Sequence, residues 1–150
     1  MKFVFLLYVL FFIDTFASAQ EKKNKLKKKA VPVVVVNAFD EKFLNAKKTT
    51  WHKEEQQFLA VCYSDGLKLH ALYNSLGAWQ ETHLYIQQLP VEVIKTHYGG
   101  FYGDWSIRKK VKVELSASNY YLLEVHFNEM IRELIYDESG NLVKEKIINQ

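Results

Sequence analysis

The chain holds one cysteine, Cys62, two prolines and six glycines in 150 residues, and each shortage removes an option. With a single thiol no internal disulfide can form, so an exported form of the chain must be held together by packing. There is no C-x-x-C, no G-x-S-x-G and no glycine-rich phosphate loop, which removes the redox, serine-hydrolase and nucleotide-cradling motifs. The five histidines, at 52, 70, 83, 97 and 126, never fall in the H-x-x-x-H spacing that puts two metal ligands on one face of an element. The apolar run from Phe3 to Ile13 is well short of the ~20 residues of a spanning helix.

What is present begins with an address. Lys2, the run Phe3 to Ile13, and the small residues Ala17, Ser18 and Ala19 before Gln20 have the order of a secretory signal peptide, residues 1–19, cut after Ala19. No cysteine follows to accept lipid, and no transmembrane anchor is expected after cleavage. Residues 20–29, "QEKKNKLKKK", carry six lysines and one glutamate, which leaves residues 30–150 with about −2 of the chain's +3. This run is expected to be a basic, disordered leader able to touch an anionic envelope surface. Nucleic acid is not expected as a partner of an exported chain, and the localisation expected is periplasmic, secreted or at the cell envelope.

The remaining 30–148 has 15% aromatic and 49% hydrophobic residues in the chain as a whole, an ordinary globular composition. It also says one thing twice. "VPVVVVNAFDEKFLNA" (31–46) and "LPVEVIKTHYGGFYGD" (89–104) both open on a proline suited to the first turn of a helix, 58 residues apart. "LYNSLGAWQET" (72–82) and "IYDESGNLVKE" (135–145) echo each other 63 apart, so extra residues lie in the first strand or hairpin of the second half. Helical stripes are expected at Val33, Val36, Phe39 and Phe43, and at Val91, Ile94 and Tyr98 before Gly99 and Gly100.

Period-two runs broken at Ser64-Asp65-Gly66, Asn74 to Gly77, Asn128-Glu129 and Asp137 to Gly140 supply strands. The first strand of each half should cover about 47–54 and 105–115. The expectation is an α+β fold: two helix-plus-four-strand repeats, 30–86 and 87–148, whose antiparallel strands share one extended sheet with helices on one face.

These residues, the prolines Pro32 and Pro90, the turns Asn74 to Gly77 and Asp137 to Gly140, and the signal peptide, resemble the PepSY-like, β-lactamase-inhibitor-like (BLIP-like) domains of small exported bacterial proteins. The resemblance spans about Val31 to Ile148. It implies tandem helix-plus-four-strand repeats and a non-enzymatic role, binding or inhibiting another exported protein such as a peptidase or other envelope enzyme. The secreted β-lactamase inhibitors use disulfides that this chain cannot form, so their target is not carried over.

If Tyr63 sits opposite Leu67 and Tyr73 opposite Ala78, then Leu59, Val61, Tyr63, Leu69, Ala71, Tyr73 and Leu84 face the helices. The opposite face then carries Phe58, Ala60, His70, Leu72, Trp79, His83 and Tyr85, too apolar for plain water. Phe58, His70, Trp79, His83 and Tyr85 are therefore the candidate partner-binding face, the other reading being that this side packs between the halves or against the N-terminal tail. The same register brings Cys62, Lys68, His70, Glu81 and His83 together, and Cys62, His70, Glu81 and His83 could ligate zinc or form a Cys-His pair. Lys68 opposes a metal's charge there. No catalytic residue, cofactor or metal is assigned; the alternative to a protein-binding module is a small-ligand or metal carrier using surface histidines.

Overall fold

The computed structural model describes residues 25–149. The expected signal peptide, its expected cleavage site at Ala17 and Ala19, and the start of the lysine run lie outside them. Pro32 and Pro90 each take the N-cap of a helix, α1 (Val33–Lys42) and α2 (Val91–Gly99). Four consecutive valines, Val33 to Val36, favour strand by local propensity. The helix wins because Val35 and Phe39, one turn apart, are buried against the sheet.

After α1 come β2 (Lys47–Glu54), β3 (Gln57–Ser64), β4 (Leu67–Asn74) and β5 (Trp79–Tyr85). After α2 come β6 (Ser106–Glu114), β7 (Asn119–Phe127), β8 (Met130–Asp137) and β9 (Leu142–Asn149). A short β1 (Lys25–Leu26) pairs with β2 opposite His52 and Trp51, and the nine strands form one antiparallel sheet in strict chain order. The fold is α+β, with two α-helices among the described residues. Part of the expected disordered leader is thus structured: Lys25 and Leu26 are strand, and Lys28–Ala30 is a 3-10 turn. Leu26 anchors it, packing on the cluster under α1.

Both helices cover the same side. Val35 and Phe39 pack with Phe58, Ala60, Cys62, Leu69, Ala71 and Tyr73, and Leu84 joins them. Leu84 pairs with Lys112 and Lys112 with Tyr121, so Tyr121, which packs with Val93, Leu123, Val125, Leu134 and Tyr136 under α2, lies on that same side.

Three expectations about facing are corrected. In α1 Val33 is 73% exposed and Val35 is buried in its stead, beside Phe39. In α2 the buried pair is Val93 and His97, while Val91 and Tyr98 are 61% and 60% exposed and Ile94 lies toward solvent too. Burial of the flanking Leu89, Tyr102 and Trp105 in the same cluster fixes the helix's rotation. In β3 the register is shifted by one: Ser64 pairs with Leu67 and Tyr63 with Lys68. The cause is a two-residue turn, Asp65 (φ 52°) and Gly66 (φ 83°), in which both central residues are left-handed as a type I′ hairpin requires. Ser64 therefore belongs to the strand. Phe58, Ala60 and Cys62 face the helices, and Leu59, Val61 and Tyr63 face away.

The two echoing turns are built alike. Asn74 Oδ1 accepts from the backbone N–H of Leu76 (3.0 Å) and Ala78 (2.9 Å); Asp137 Oδ1 accepts from Ser139 (2.9 Å) and Asn141 (2.8 Å). Gly77 (φ 81°) and Gly140 (φ 82°) follow in the same place. The residues that separate the 58 and 63 spacings are spread along several elements. α2 is one residue shorter than α1, but the connection after it is two longer, β6 is one longer than β2, the following turn is two longer, and β7 is one longer than β3.

Candidate binding face

The side of the sheet without helices is assembled by cross-strand register alone. One row runs Thr50, Val61, His70, His83, Val113, Tyr120. The next runs Tyr63, Lys68, then Tyr85, Val111, Leu122, Ile135. A bulge in β5 decides who belongs: Tyr73 pairs with Trp79 but Leu72 with Glu81, so one extra residue sits between them. Trp79 consequently turns to the helix side. There its Nε1 donates to Thr82 Oγ1 at 2.9 Å and Lys42 Nζ lies 4.0 Å above its ring. A second bulge, in β6 between Ile107 and Lys109, leaves Ile107 on the helix side and turns Val111 and Val113 away from it.

Of the five expected face residues, the structure brings three together, His70, His83 and Tyr85. Phe58 and Trp79 belong instead to the core under α1. Cys62 is separated from the histidines by the whole sheet, and burial pushes its thiol up to about 11, so it is no thiolate nucleophile. The histidines are not surface groups either. His70 is 2% exposed and His83 and His52 are buried. Burial first, and the charge of Lys68 next, with His83, Lys109 and His52 adding to it, push His70 down to about 3, so it stays neutral.

Two histidines on this face sit against carboxylates. His83 Nε2 lies 3.0 Å from Glu81 Oε1 with both side chains buried, and His126 Nε2 lies 2.7 Å from Glu124 Oε1 nearer the rim. Burial raises Glu133, on β8, and its charge is felt with those of Lys109 and His83, which brings β5, β6 and β8 to one electrostatic neighbourhood. At the centre stands Tyr85, on the fifth of nine strands. Its ring is 5.1 Å from that of His70, and the ammonium groups of Lys68 and Lys109 lie 5.3 and 5.8 Å from its centroid. Among the described residues no group of three or more His, Cys, Asp or Glu is arranged to hold a metal ion.

No protein-family model matches the chain, and no curated protein does. Solved structures do match. A BLIP-like protein from Bacteroides fragilis superposes with a TM-score of 0.74 at 21% identity, over 79% of this chain and 88% of that one. The chain has the BLIP-like fold. A DUF2874 family protein from Bacteroides ovatus shares it at a TM-score of 0.75 and 20% identity, over 78% of this chain and 87% of that one. So does a candidate periplasmic protein from Bacteroides eggerthii, at 0.75 and 14%, over 79% and 89%. At such identities the likeness is one of backbone path. Within the BLIP-like fold, Lys109 and Glu133 are members of the face that sequence reasoning missed, because nothing local announces which strand lies beside β5 or where β6 bulges.

Proposed function

We propose that this protein is an exported, non-enzymatic binding module of the PepSY-like kind, built from two helix-plus-four-strand repeats. It presents the helix-free face around Tyr85 to another exported protein and, as an inhibitor does, covers part of that partner's surface. The observation that carries the reading is Tyr85 itself: a half-buried aromatic at the middle of the sheet, steadied by His70, Lys68 and Lys109. A rigid amphipathic ring with its neighbours already in place buries area at small entropic loss, which is the chemistry of interface hot spots. The BLIP-like and periplasmic neighbours and the A-x-A site support an exported module. The metal-carrier reading loses its premise, since His70 and His83 are buried rather than on the surface.

The test is capture of partners from envelope extract with the wild type, Tyr85→Ala, and Phe101→Ser on the helix side. Tyr85→Ala should stay cooperatively folded and weaken capture by about 2 kcal/mol or more, whereas Phe101→Ser should capture as the wild type does. Equal capture by Tyr85→Ala and the wild type refutes the assignment of this face.

A further inference from the structure

We propose that the end of the sheet where α1 begins is a docking surface for an anionic lipid membrane. Lys25, Lys27, Lys28 and Lys29 are all exposed in the segment that leads into α1. Among the described residues the one ion pair any of them makes is a 3.4 Å solvent-exposed contact from Lys28 to Asp40, and the first turn of α1 holds no acidic residue. Beside this charge stand apolar side chains in water: Val33 is 73% and Val34 50% exposed, and Leu76, in the β4–β5 turn, is 80% exposed. The turn and the helix start touch. A Cβ on Gly77 would meet Val34 Cγ2 and the Val34 carbonyl oxygen, each at 2.9 Å, so Leu76 is held next to the first turn of α1.

The fold does not require this combination. At the equivalent end of the second half, Ser139 takes the place of Leu76 and Glu92 that of Val34, with no lysine run leading into α2. Basic charge plus exposed hydrocarbon is the pairing that holds peripheral proteins on membranes, where neither signal suffices alone. A soluble polyanion would attract the lysines but gain nothing from Leu76 or Val33. No helix among the described residues is long and apolar enough to cross a membrane, which fits docking from one side. The helix-free face is a separate surface, so this inference stands whether or not Tyr85 binds a partner.

Co-sedimentation with vesicles tests it, using the chain from Gln20 so that the apolar leader is absent. Every strand and helix among the described residues lies after that point. Binding is expected to vesicles of phosphatidylcholine mixed with phosphatidylglycerol and not to phosphatidylcholine alone, and should fall as salt is raised. Lys27→Gln with Lys29→Gln should weaken it about 25-fold, roughly fivefold for each charge. Leu76→Ser should weaken it about fivefold or more, because the leucine side chain would be buried in lipid. It should leave the melting temperature unchanged, since Leu76 is exposed. Failure to bind mixed vesicles overturns the proposal. So does binding indifferent to Leu76→Ser, or equal binding to polyphosphate that Leu76→Ser leaves untouched, either of which marks a plain polyanion site.

Discussion

Tyr73 and Tyr136 hold equivalent places under α1 and α2, and one atom separates their circumstances. The Tyr136 hydroxyl lies 3.1 Å from His97 Nδ1, with the rings edge-on at 6.2 Å. Where the second half has His97 the first has Phe39, edge-on to Tyr73 at 6.4 Å, and the buried Tyr73 hydroxyl has no hydrogen-bond partner among the described residues. An unsatisfied buried hydroxyl costs stability and a satisfied one contributes. Tyr73→Phe should therefore be neutral or mildly stabilising, while Tyr136→Phe should cost about 1 to 2 kcal/mol by stranding His97. Denaturant unfolding of the two variants measures the difference, and equal costs would refute it. His70 gives a second residue-scale expectation. Its value near 3 in the fold lies below the roughly 6.5 of an unfolded histidine, so the unfolded chain takes up the proton first as pH drops. The stability from neutral His70 is complete above about pH 6.5 and is lost toward pH 3, by up to about 1.4 kcal/mol per pH unit. Melting temperatures taken from neutral to acid pH should fall more steeply for the wild type than for His70→Phe; parallel curves would count against it.

Among the elements, the two Asx-built turns do more than reverse the chain, since each seats a helix. A Cβ on Gly140 would lie 2.5 Å from the Glu92 carbonyl oxygen, and on Gly77 it would strike Val34, while both glycines have φ near +80°. Backbone conformation and close approach thus demand glycine twice. Gly140→Ala and Gly77→Ala should each cost about 1 to 3 kcal/mol, Gly140→Ala the more because its Cβ would lie 2.5 Å from backbone oxygen, against 2.9 Å for the nearest Val34 atoms at Gly77. Gly66→Ala, also at positive φ but with open space around it, isolates the conformational share; thermal unfolding showing all three equal would remove the seating role. These turns were the most legible part of the sequence, with the prolines, because both depend on residue types that few conformations require. Helix and strand positions followed from them. What stayed hidden was which way things face. The two-residue turn at Asp65-Gly66 moves Phe58 and Cys62 across the sheet, the β5 bulge moves Trp79, and α2 rotates to bury Val93 and His97. Each is a single-residue offset, and period-two and period-3.6 patterns cannot detect one when both faces carry apolar side chains, as they do here. Hence Phe58 and Trp79 were misplaced while His70, His83 and Tyr85 were not.

At the scale of the molecule, charge on the outermost strand opposes edge-to-edge pairing of two copies. β9 offers an open edge with Leu142, Val143, Ile147 and Ile148 partly exposed, but its middle is Lys144, Glu145 and Lys146. A second copy added antiparallel about Glu145 with its helices on the same side would set glutamate against glutamate and lysine against lysine, which disfavours pairing. The other edge is shielded over Trp51 and His52 by β1. The ladder between β5 and β6 is short, four residue pairs against eight between β7 and β8. Strict chain order puts the first strand at one edge of the sheet and the last at the other. A pull applied to the two ends therefore acts across the strands and loads the hydrogen bonds of one ladder in succession, like a zipper, where strands drawn lengthwise past each other would load them all at once. Mechanically this is a yielding molecule, one that a translocating or degrading motor gripping either end could unravel strand by strand.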